Sequence, residues 1–109
     1  MANKVRNYQH ELLALCRSSP KHRRKMLKTA HLGLIKCICE CALNVLKERI
    51  PINKSQKRRL SRYKNILRKL VKKRGHLKHK KRIIVQSGGS FLLSLIPIAI
   101  NALSTLFSR

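Results

Sequence analysis

The residue types able to do covalent or metal chemistry are few, and their spacing is poor for it. Cysteines stand at Cys16, Cys37, Cys39 and Cys41, three of them crowded into the run CICEC. On a helix, Cys37 and Cys41 share a face while Cys39 points about 200° away. These thiols therefore do not converge on one tetrahedral zinc, no CxxC pair exists, and His31 lies far along the same helix. The better reading of all three is as small buried apolar side chains. Cys–His nucleophilic catalysis has no supporting constellation, because His22, His76 and His79 sit among cations and read as extra phosphate contacts. The carboxylates are Glu11, Glu40 and Glu48, with no aspartate at all. That removes paired-carboxylate acid–base catalysis and oxygen-rich Mg²⁺ or Ca²⁺ sites. No catalytic residue, metal or cofactor is expected.

The remaining chemistry is electrostatic. Lys and Arg number 27 against 3 acidic residues, for a formal net charge of +24. Between positions 54 and 82 there are 15 Lys or Arg in 29 residues and no acid. A solvated helix face normally interleaves both signs to limit repulsion. A one-sign stretch of this length points instead to a polyanion. The candidate phosphate ligands are Lys57, Arg58, Arg59, Arg62, Lys64, Arg68, Lys69, Lys72, Lys73 and Arg74, with Lys78, Lys80, Lys81 and Arg82 extending the surface. A helix over 54–74 would be roughly 31 Å long and would face about 18 phosphates of a duplex of equal length. Neutralising 8 to 10 of them gives a log–log salt slope of roughly −7 to −9, and such contacts read backbone and not sequence. Asn65, Gln56 and Ser61 are too scattered for helix-turn-helix readout of bases. The aromatics Tyr8, Tyr63, Phe91 and Phe107 are too few for stacking on single strands, and Tyr63 lies on an apolar stripe. The rivals for this zone are an anionic lipid surface, a calmodulin-like acidic protein and a nuclear import receptor.

The elements that must carry these cations follow from apolar periodicity. The expected fold is all-α, a small bundle of short helices with a long basic helix and a detached C-terminal hydrophobic helix, within the one small domain that 109 residues allow. Three segments are expected. Residues 1–52 hold two short helices, the second opened by a Ser19 cap and Pro20, and a central apolar helix ended by Pro51. In that central helix Lys36, Glu40, Asn44 and Lys47 form one narrow polar stripe, so most of its circumference calls for burial. Residues 53–86 hold the basic helix, with the thin stripe Leu60, Tyr63, Leu67 and Leu70 and a C-cap at Gly75, followed by a short basic extension. Residues 87–109 begin with a Gly88-Gly89 hinge, and Ser90 caps a helix from Phe91 to Phe107 that Pro97 should kink. The apolar run LLALC is too short for a signal peptide, and the cysteine pattern suits a reducing compartment.

The last helix has three readings at this level. About 26 Å long, it is slightly short for a bilayer core of about 30 Å, yet could anchor the chain in a membrane or insert into and disrupt one. Alternatively, it packs on protein. Phe91, Leu92, Leu95, Ile96, Leu103 and Phe107 are its candidate contacts to membrane or capsid protein. A basic block running into KHKKRIIVQSGGSFLLSLIPIAINAL resembles the precursor of adenovirus core protein X, in which a basic DNA-condensing segment precedes Gly-Gly and a hydrophobic stretch of the GG-x-L-x-x-L-I-P-I type. CICECALNVLK, IPINKSQKRRLSRYKNILRKL and VQSGGSFL together resemble the small core-protein counterparts of adintoviruses and Polinton (Maverick) elements, over about residues 30–100. That resemblance implies a non-enzymatic virion protein that condenses double-stranded DNA, is present in the host nucleus during assembly, and is processed by a viral cysteine protease after Gly88-Gly89. The apolar position that protease favours ahead of Gly-Gly is here Gln86, followed by Ser87. A plain hinge before a helix is the competing account of the two glycines.

Overall fold

Periodicity of apolar residues produces eight helices in the computed structural model, which describes residues 2–47, 50–72 and 76–107 and, within these, the side chains of 5–47, 50–72 and 76–101. They are α1 (Ala2–Asn7), α2 (Gln9–Arg17), α3 (Pro20–Lys28), α4 (Leu32–Leu46), α5 (Lys54–Ser61), α6 (Lys64–Val71), α7 (Leu77–Gln86) and α8 (Leu92–Phe107). Among the described residues there is no strand, and the chain is the small all-α bundle its sequence predicts.

Local signals set most boundaries. The Ser19 hydroxyl accepts from the His22 N–H and Pro20 is the first residue of α3, so the cap and the proline act as expected. α4 is the central helix. Leu34, Ile35, Cys37, Ile38, Cys39, Cys41, Ala42 and Val45 are buried around it, while Lys36 and Lys47 reach solvent. α5 opens with a capping box that composition alone did not flag: the Asn53 side chain accepts from the Gln56 N–H at 2.8 Å, and the Gln56 side-chain Oε1 accepts from the Asn53 N–H at 3.0 Å.

Two expectations change. The single basic helix is broken at Arg62 and Tyr63, where the Tyr63 N–H turns back to the Leu60 carbonyl at 2.9 Å and α6 restarts from the Tyr63 carbonyl. The cause is packing: α5 lies on α8 through Leu60, whereas α6 docks on α4 and α7 through Leu67 and Leu70. A straight helix cannot aim one thin stripe at two differently placed neighbours. α6 ends at Val71, and the expected Gly75 cap lies outside the described residues. The basic extension after it is itself a helix, α7, buried at Ile84.

The second change concerns the C-terminal helix, which is not detached. α8 packs against α1, α2, α4 and α5, and Phe91, Leu92, Leu95, Ile96, Ile98 and Ala99 belong to the same apolar cluster as Leu12, Ile35 and Leu67. Each such large side chain contributes about 1.5–3 kcal/mol when taken from water. Without α8 the apolar stripes of α2 and α5 would stay wet. Pro97 lies on the exposed side of α8, together with Leu93 and Asn101, so the weakly polar stripe faces outward and the apolar face inward. Ser90 is exposed and does not open the helix; the first α-helical bond of α8 runs from the Leu95 N–H to the Phe91 carbonyl at 3.0 Å.

Candidate nucleic-acid interface

The docking stripes of α5, α6 and α7 are narrow, and most of what lies off the stripe is cationic, with Ser55, Ser61, Asn65, His79 and Gln86 between the Lys and Arg side chains. Of the fourteen candidate phosphate ligands, Lys57, Arg58, Arg59, Arg62, Lys64, Arg68, Lys69, Lys72, Lys78 and Arg82 are exposed. α6 packs on α7, and Lys64, Arg68 and Lys69 of α6, Lys78 and Arg82 of α7 and Lys57, Arg58 and Arg59 of α5 all stand on the exposed faces of these three helices. No acidic residue occurs anywhere from position 50 onward. Lys73 and Arg74 lie outside the described residues.

Two candidates are drawn inward. Lys81 is half-buried and its ammonium donates to the Ala30 carbonyl at 2.9 Å, just beyond the end of α3, where helix carbonyls lack intrahelical donors. Such a charge-assisted bond contributes about 1.5–3 kcal/mol, so Lys81 ties α7 to α3 and is less available at the surface than Lys78 or Arg82. Lys80 is also half-buried and acts electrostatically on Cys39.

The cysteines are packing residues. Cys37, Cys39 and Cys41 are buried free thiols and Cys16 is half-buried. Burial pushes the Cys39 thiol up to about 11, against the opposing pull of Lys80. A hydrogen bond with Cys37, and then burial, raises Cys41. Cys16 is raised by burial, with Arg23 and Arg17 opposing. Thiols held protonated are poor nucleophiles and poor metal ligands at neutral pH. Among the described residues no group of three or more His, Cys, Asp or Glu is placed to hold a metal ion.

Four of the six residues expected to touch membrane or capsid do not form a surface. Phe91, Leu92, Leu95 and Ile96 are buried in the molecule's own core, and the side chains of Leu103 and Phe107 lie outside the described residues. Among the described residues no single helix is long and apolar enough to cross a membrane.

Gly88 and Gly89 form a tight turn between α7 and α8, with φ of 76° and 75°. Only glycine adopts this region at low cost. A Cβ on Gly89 would lie 2.8 Å from Leu27 Cδ1 and 3.1 Å from Arg23 Cδ. The turn is therefore pressed onto α3, and a protease needing extended chain would meet it only after local opening.

Sequence reasoning missed Arg23. It is buried, with Nε donating to the Leu15 carbonyl and a terminal nitrogen to the Ser18 carbonyl, each at 2.8 Å. One guanidinium thus caps the C-terminal end of α2 from the neighbouring helix. Comparison of the chain with protein-family models, with curated proteins and with solved structures finds no match.

Proposed function

We propose that this protein is a non-enzymatic binder of double-stranded DNA that compacts it without sequence specificity, through the cations of α5, α6 and α7. The observation that carries the reading is the exposed, acid-free array of ten Lys and Arg side chains, eight on three successive helices and two, Arg62 and Lys72, at the C-caps of α5 and α6. Repulsion among such cations is relieved by a regular array of negative charges, and a duplex supplies one per about 1.7 Å of axis. Further support comes from the resemblance of the 78–103 stretch to the adenovirus core protein X precursor and of a longer stretch to its adintovirus and Polinton counterparts. On that resemblance the protein is a virion component delivered to the nucleus during assembly, and Gly88-Gly89 is a processing site for a viral cysteine protease.

The test is binding of the full chain to two duplexes of unrelated sequence across a salt titration. Equal affinities with a log–log slope of about −7 to −9 are expected. Charge reversal of Arg58, Arg62 and Lys69 together should flatten that slope by about 3. An unchanged slope in the variant would remove α5 and α6 from the contact, and weak, salt-insensitive binding by the wild type would overturn the proposal.

A further inference from the structure

Outside the cations just described, a strongly charged cleft of about 450 Å³ is lined by Pro20, Lys21, Arg24, Lys25 and Lys28 of α3 and by Gly88. The cations fall at i, i+3, i+4 and i+7, which places them along one helix face. All four are exposed, and among the described residues none of their side chains has a hydrogen-bond or ion-pair partner within the chain. Their neighbours behave otherwise: Arg23 on the opposite face is buried against carbonyls, and Lys81 holds the carbonyl of Ala30. No carboxylate lines the cleft.

The fold brings the turn to this place. With Lys81 at Ala30 and Gly89 against Arg23 and Leu27, α7 runs antiparallel to α3 and delivers Gly88 beside Arg24. A Cβ on Gly88 would come within 3.2 Å of an Arg24 terminal nitrogen, so the guanidinium lies over bare backbone. Like charges at helical spacing repel and destabilise α3 when nothing neutralises them.

We infer that the α3–Gly88 cleft is a phosphate-binding site, separate from the α5–α7 cations, in which Lys21, Arg24 and Lys28 converge on one phosphate group. Arg24 supplies the planar fork that pairs with two phosphate oxygens, and the lysines act as point charges on either side. Two sources present this chemistry: a backbone phosphate of a duplex, or a free oligophosphate. The inference stands on the cleft alone and does not require the α5–α7 cations to bind DNA.

The probe is pyrophosphate titrated into the full chain, followed by amide NMR. The Gly88 amide and those of residues 21–28 should shift first and saturate together. The triple variant Lys21→Gln, Arg24→Gln, Lys28→Gln should weaken binding about ten-fold. Arg58→Gln, Arg62→Gln, Lys69→Gln, which removes equal charge elsewhere, should weaken it less than two-fold. The double variant Lys21→Gln, Lys28→Gln keeps Arg24 over the turn and should lose about three-fold. Equal losses in the two triple variants, or a Gly88 amide that does not respond, would overturn the inference, since binding would then be diffuse. Duplex binding separates the sources: a salt slope flattened by about 2 to 3 in the α3 triple variant assigns the site to DNA backbone, and an unchanged slope assigns it to a free oligophosphate.

Discussion

Arg23 and Arg24 are adjacent, chemically identical, and have opposite roles. Arg24 is exposed beside Gly88, whereas Arg23 turns into the protein and donates to two carbonyls at the end of α2. Replacing Arg23 by Met would leave those acceptors without their donor, and should cost about 2–3 kcal/mol in urea unfolding, while Arg24→Met stays within about 0.5 kcal/mol. Equal effects would mean that the Arg23 bonds contribute nothing net. The distinction is invisible in the sequence, because it depends on which carbonyls α2 leaves unpaired and on α3 folding back across them. Cys37, Cys39 and Cys41 were legible by contrast, since a nearly uncharged helix with one narrow polar stripe has nowhere to place small apolar side chains but inside.

At the scale of elements, α8 is the test of the whole arrangement. Phe91, the residue just before that helix, is fully buried. Phe91→Ala should cost about 3–5 kcal/mol by thermal or urea unfolding, as expected for a large core aromatic. A loss below about 1 kcal/mol would show that α8 hangs free of the bundle. The existence of α8 was readable from its apolar run and α3 from its Ser-Pro start, whereas the break between α5 and α6 was not. The stripe Leu60, Leu67 and Leu70 is equally compatible with one helix or two, and the choice belongs to the positions of α8 and α4.

Across the whole molecule, extents of 36 × 26 × 25 Å hold a formal charge of +24. Charge at this density opposes the compact state. Raising NaCl from about 20 to 500 mM should therefore raise the melting temperature by about 5–10 °C, the equivalent of 1–2 kcal/mol in a domain of this size. An invariant melting temperature would show that the surface cations do not repel one another appreciably. The layering has a direction: α3 packs on α7 and α7 on α6, each with an outer cationic face, while the chain from residue 83 to 107, all of α8 included, carries no charged residue.

Charge, helix periodicity and capping are properties of neighbours in the chain, so the all-α class, the central apolar helix and the acid-free basic stretch were already legible in the sequence. Where an apolar helix docks depends on residues far away in the chain. The same run from Phe91 to Ala99 would suit lipid, a partner or the protein's own core, and only the uncovered stripes of α2, α4 and α5 decided for the core. The cleft at Gly88 was likewise decided in three dimensions, because its cations and its glycine are 60 or more residues apart and meet only when α7 folds back along α3.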